Sequence, residues 1–215
     1  MRYICTLFKP PHGFIDFDAE YNPEWVNRLN RNLKRWSENP QLVVITDFEE
    51  GFEDDIEIYP FKHEERGWVC LMEMFRPEII QDRALLVGLD TIMVGPLKEI
   101  EEAKGLIAPL DPIHPPSICN AVVAVDNSDV WDKWVDQKEL HLDDPLYELF
   151  GQFSEMKWLR EHTRPKLWDN ILPNFIVSYK VHVKDRDLGD ARIVYFHGKP
   201  KPNNLDLDWI QENWK

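Results

Sequence analysis

Short apolar runs of strand length punctuate this chain, and the polar positions between them fall where helices and turns should stand. Residues 3–8 read as a first strand, and residues 42–46 as a strongly β-branched one. Between them, Asn22-Pro23-Glu24 reads as a helix cap followed by proline at the first helical position. Trp25, Leu29, Leu33 and Trp36 then recur at helical spacing as one stripe. A helix between two such strands is the βαβ pattern, which builds a parallel sheet. Further strands are expected at 56–59, 84–89, 105–110, 118–125, 175–179 and 192–196, and helices at 67–75, 129–135, 154–161 and 207–214. The class is therefore α/β, a mostly parallel central sheet flanked by helices. With no repeat, low-complexity tract or interdomain linker, residues 1–215 read as one domain.

The polar residues that end these strands carry the chemical information. Three strands run into an acid, Asp47, Asp90 and Asp111, and a fourth into His197 followed by Gly198-Lys199. In a parallel sheet such ends emerge on one edge, where α/β proteins bind ligands. A carboxylate, an imidazole and a glycine-lysine turn together suit a divalent cation and a diphosphate. Acids also cap turns and helices after strands, which is the competing reading for each of them. Asp126-Asn127-Ser128-Asp129 has that turn-and-cap character more than a ligand's.

Charge and missing motifs narrow the classes. A net charge of −14 repels phosphate backbones, so bulk nucleic-acid binding is not expected, and Arg28, Arg31, Lys34 and Arg35 read as a solvated helix face. The acidic stretch 47–57 has its glycine, Gly51, one place early for a calcium loop and no closing glutamate at the twelfth position. Cys5, Cys70 and Cys119 form no C-x-x-C pair and read as reduced thiols. The apolar opening stops at Lys9-Pro10-Pro11, too short for a signal peptide, and no run approaches the roughly 20 apolar residues of a membrane span. A cytoplasmic protein is expected. The phosphate-binding P-loop, the dinucleotide G-x-G-x-x-G, the hydrolase G-x-S-x-G and the zinc H-E-x-x-H are all absent.

In order along the chain, Leu42-Val43-Val44-Ile45-Thr46-Asp47, Gly67-Trp68, Leu89-Asp90-Thr91-Ile92-Met93-Val94-Gly95-Pro96-Leu97, Asn120, Ser178-Tyr179-Lys180 and Phe196-His197-Gly198-Lys199-Pro200 resemble GT-A glycosyltransferases. The resemblance is to small bacterial and phage members related to the glycogenin and lipopolysaccharide-galactosyltransferase group, and it spans almost the whole chain. It implies transfer of a sugar from a UDP-sugar to an unidentified acceptor, with retention at the anomeric carbon. By the same resemblance Asp90 and His197 would ligate Mn²⁺ or Mg²⁺, Gly198 and Lys199 would hold the diphosphate, and Thr6 and Asp47 would line the nucleoside pocket. Asp111, Asn120 and Glu155 would stand near the donor sugar, and Trp168-Asp169-Asn170 is the tryptophan segment to consider for the acceptor. The chain also departs from the family. Gly88 replaces the first acid of the D-x-D motif, Leu71 stands where a lysine is usual, Ser154-Glu155-Met156 replaces Gly-Asp-Gln, and Asn120-Ala121-Val122 replaces Asn-Ser-Gly. Gly88 and Leu71 support an alternative, a degenerate transferase acting as a binding or scaffold protein. A phage-type enzyme acting on modified DNA is the other alternative, against which the net charge weighs.

Overall fold

Strand β1 (Arg2–Leu7) is buried along its whole length and is paired in parallel with β2 (Gln41–Thr46) on one side and β4 (Arg83–Val87) on the other. The computed structural model describes residues 1–10, 21–64, 67–126, 129–137 and 155–215. Helix α1 (Pro23–Trp36) lies between β1 and β2 in the chain. Asn22 Oδ1 accepts from the Glu24 backbone N–H at 3.0 Å, a cap worth about 1 kcal/mol. Trp25, Leu29 and Leu33 are buried. On the outer face Arg28, Arg31 and Lys34 pair with Glu24, Glu53 and Asp55, so the loop once comparable to a calcium site supplies countercharge to α1 instead.

Strand β3 (Glu57–Tyr59) lies outside β2, and β6 (Ile107–Ala108), β7 (Val122–Asp126) and β8 (Lys166–Leu167) complete a seven-stranded sheet of order β3-β2-β1-β4-β7-β6-β8. Its pairings are parallel except for those of β7 with β4 and β6. Alternate residues feed two cores: Tyr3, Cys5 and Leu7 join the one containing α1, while Ile4, Val43 and Ile45 join the one containing Trp131, Trp134 and Trp158. A second sheet of three strands, β5 (Thr91–Met93), β10 (Ile193–Tyr195) and β9 (Ile176–Ser178), packs into the first of these cores. Among the described residues no helix is long and apolar enough to cross a membrane.

Several expectations are corrected here. The 105–110 strand contracts to two residues: Pro109 has no N–H to give a ladder, and Leu110 returns only as an isolated bridge to Ile118. The 118–125 strand begins at Val122, and the helix at 67–75 is a 3₁₀ helix (Trp68–Phe75). His197 does not emerge from the main parallel sheet, because β10 belongs to the small one. What brings it to Asp90 is an antiparallel ladder: Tyr195 faces Thr91, and the Phe196 N–H donates to the Asp90 carbonyl at 3.1 Å. Since β7 runs against β4, Asp126 lies at the far end of the sheet, paired with Arg83 at 3.1 Å. Asn127 and Ser128, part of the expected cap, lie outside the described residues, as does Ser154.

Candidate functional site

The ends of β1 and β4, the loop before β7 and the segment after β10 enclose a cleft of about 560 Å³. Thr6, Asp90, Asp111, Asn120, Glu155, His197, Gly198 and Lys199 all line it. Sequence positions more than a hundred residues apart thus reach one space. Asp47 is not among the lining residues. Its carboxylate accepts from the Lys9 N–H at 2.9 Å, tying the exit of β1 to that of β2. Trp168 is not an acceptor platform either: it is buried, its indole N–H donates to the Val122 carbonyl at 3.0 Å, and Asp169 accepts from the Leu110 N–H at 2.9 Å.

On the main-sheet side the acids are bound to neighbours. Asp111 Oδ1 accepts from the N–H groups of Ile113 and His114 at 2.8 and 3.1 Å, and Oδ2 takes Arg160 Nη2 at 2.6 Å. Burial disfavours its charge, but these donors outweigh burial and hold the carboxyl below the usual range. Glu155, at the start of the helix Glu155–His162, is buried and accepts from Asn120 Nδ2 at 3.0 Å. Burial pushes its pKa up to about 7, against the opposing pull of nearby N–H donors and Arg160. The Asn120–Glu155 pair presents an amide and a half-titrated carboxyl side by side, suited to grip the hydroxyls of a polar ligand.

The opposite side is cationic and was less legible. Lys201 lines the cleft, and its ammonium forms an ion pair with Asp90 Oδ2. The same oxygen accepts from Tyr21 Oη at 3.0 Å, and the ammonium lies 5.7 Å from the Tyr21 ring centroid. Gly198 has φ +60°, and a Cβ there would lie 3.0 Å from Lys180 Nζ, so glycine answers both a left-handed turn and a close lysine. His197 Nε2 lies 2.7 Å from Ser178 Oγ. Burial and then Lys180 push the imidazole pKa down, more than Asp111 and Asp90 draw it up. The sequence signal for Lys201 was present in the doubled Lys199-Pro200-Lys201-Pro202, but spacing alone does not say which lysine meets Asp90. Tyr21 and Ser178 carried no signal for these contacts.

The donor set does not fit a protein-held divalent ion. Asp90 shares an oxygen with an ammonium and a phenol, and His197 is engaged by Ser178. A side chain at position 88 would have its Cβ 3.1 Å from Asp90 Oδ1, so a second carboxylate there is crowded. Among the described residues, no group of three or more His, Cys, Asp or Glu is placed to hold an ion.

No protein-family model matches the chain, and no curated protein sequence matches it. Solved structures do. The glycosyltransferase GlyE of Streptococcus pneumoniae superposes with a TM-score of 0.67 at 13% identity, over 99% of this chain and 59% of its own. The galactosyltransferase LgtC, solved with donor and acceptor sugar analogues, gives a TM-score of 0.57 at 10% identity, over 94% of this chain and 89% of its own. An active-site mutant of LgtC gives 0.59 at 10% identity, over 99% and 94%. The expected GT-A architecture is therefore the observed one. This chain spans 59% of the length of GlyE.

Proposed function

We propose that the cleft transfers a sugar from a nucleotide-sugar donor, with a UDP-sugar as the substrate class, to an acceptor hydroxyl. The observation that carries this reading is the pairing of a cationic turn, Gly198 to Lys201, with the polar Asn120–Glu155 pair across one cleft in a glycosyltransferase fold. Lys199, Lys201 and the backbone around Gly198 would gather the diphosphate. Asn120 and Glu155 would hold sugar hydroxyls, Thr6 would face the nucleoside, and Asp111 would fix the loop that carries them. The bond from the anomeric carbon to the phosphate oxygen breaks, and its electron pair stays with the departing diphosphate. The acceptor oxygen forms the new bond and its proton passes to a phosphate oxygen. Stabilising charge on the leaving group is the main catalytic contribution in this scheme. Retention is the stereochemistry implied by the resemblance.

The metal-dependent form of this reading would require an ion to displace Lys201 from Asp90 and Ser178 from His197, so no step is routed through one. Leu71, which lines the cleft where the family's lysine stands, favours a second reading, a transferase that binds its donor without turnover. A screen of UDP-hexoses for UDP release separates the two. The enzyme reading expects release that falls in Asn120→Ala and Glu155→Ala. UDP binding without release from any donor and acceptor mixture would leave the binding-protein reading.

A further inference from the structure

We propose that this cleft carries its own cation: the Lys201 ammonium, seated on Asp90 and Tyr21, takes the electrostatic place of a divalent ion, so that a nucleoside diphosphate binds without metal. The proposal rests on the nucleotide-sugar reading above and concerns how that site is charged.

The argument begins with Asp90. At phosphate sites hard divalent cations are held by one or two carboxylates that stay open to the ion, together with the phosphate oxygens themselves. Here a single cleft carboxylate meets a single ammonium, and the side chains of both are only 16% exposed. Their charges cancel, leaving no excess negative charge to draw in an ion. Gly88 reinforces this, because it leaves position 88 without a second carboxylate to share an ion with Asp90.

Lys201 is also held as a binding group should be. Its backbone N–H donates to Asn204 Oδ1 at 3.2 Å, which fixes the main chain behind it. An ammonium has three N–H donors and no acceptor. Asp90 Oδ2 takes one, which leaves donors for phosphate oxygens in the cleft that Lys201 lines. Lys199 lines the same cleft, and Lys180 Nζ stands against Gly198. An incoming diphosphate would therefore meet ammonium groups on one wall, while the other carboxyls of the cleft have partners of their own, Asp111 in Arg160 and Glu155 in Asn120. Asp90 acts here as a positioning residue for Lys201.

Titration calorimetry with UDP, in EDTA and again in excess Mn²⁺, tests the proposal on the folded parent and on Lys201→Met, Lys201→Arg and Asp90→Asn. UDP should bind the parent about equally in both buffers. Lys201→Met should weaken binding in EDTA by roughly 10- to 100-fold, the range of a lost hydrogen bond to a charged group. Lys201→Arg should keep most of the affinity, which guards against a loss that is merely structural. Asp90→Asn should keep metal-free UDP binding, since the amide oxygen can still accept from Lys201 while the charge that faces the anion is gone. Binding that appears only with Mn²⁺ and vanishes in Asp90→Asn would overturn the proposal and leave the nucleotide-sugar reading intact. Absence of UDP binding in both buffers would overturn both.

Discussion

The two walls of the cleft are built on different principles. Along the main sheet, each acid is answered by a partner from its own neighbourhood: Asp111 by Arg160 and two backbone amides, Glu155 by Asn120. After β10, the small sheet instead delivers Lys199 and Lys201 to the cleft on a turn that Gly198 makes possible, with Lys180 behind it. The first wall is internally paired and suited to hydroxyl recognition. The second concentrates positive charge on a short segment of an otherwise acidic chain of net charge −14. The contrast suggests a division of labour in which one wall reads the sugar and the other receives the phosphates.

Reversing the charge of the second wall should break this contrast most severely. Lys201→Glu sets two carboxylates against each other and against the diphosphate, and UDP release should fall by at least about 100-fold. Steady-state assays under saturating donor would check it; a fall of less than severalfold would remove Lys201 from the site. Next in size, Glu155→Ala leaves the half-buried Asn120 amide without its acceptor and takes a proposed sugar contact away, and kcat should drop by roughly 10- to 100-fold, the scale of one lost hydrogen bond to a charged group. Gly198→Ala should follow, with KM for the donor raised about tenfold, because it imposes a left-handed strain of roughly 1–2 kcal/mol and pushes on Lys180.

The acids of the first wall predict opposite pH effects. Glu155 binds its proton more tightly folded than unfolded, so its contribution to stability is complete below the ordinary carboxyl range and is lost as pH rises through about 7. Asp111 is depressed, so its contribution is present above that range and is lost as pH falls through its folded pKa. Urea melts from about pH 2 to 8 should show Glu155→Gln flattening the loss on the neutral side, and Asp111→Asn flattening the loss below the ordinary carboxyl range. Identical profiles for parent and variants would contradict the assigned environments. The smallest effect is expected at Asp47, whose carboxylate accepts from the Lys9 backbone N–H and which does not line the cleft: Asp47→Asn, whose amide oxygen can still accept that bond, should cost about 1 kcal/mol and leave donor KM unchanged. A large rise in KM would restore it to the nucleoside pocket.

The parts of the fold that local pattern governs were readable. The cap at Asn22, the stripe from Trp25 to Leu33 and the buried runs of β1 and β2 are all written within a few residues of where they act. Asp90 and His197 do line one cleft, but not because both end strands of a parallel sheet: His197 arrives through β10 pairing antiparallel with β5, about a hundred residues away in the chain. No periodicity reports such a pairing. Lys201 was hidden differently: its chemistry was visible, but choosing it over Lys199 needs the path of the turn after Gly198. Asp47 shows the converse, a strand-end acid that accepts from the Lys9 N–H and is not among the residues lining the cleft.

A crystal structure of the chain with UDP and Mn²⁺ is the most direct measurement. The account predicts the diphosphate against Lys201 Nζ and the Gly198 amide, the nucleoside toward Thr6, and Lys201 still on Asp90. A diphosphate seated elsewhere, or a manganese ion on Asp90 with Lys201 turned out of the cleft, would contradict it.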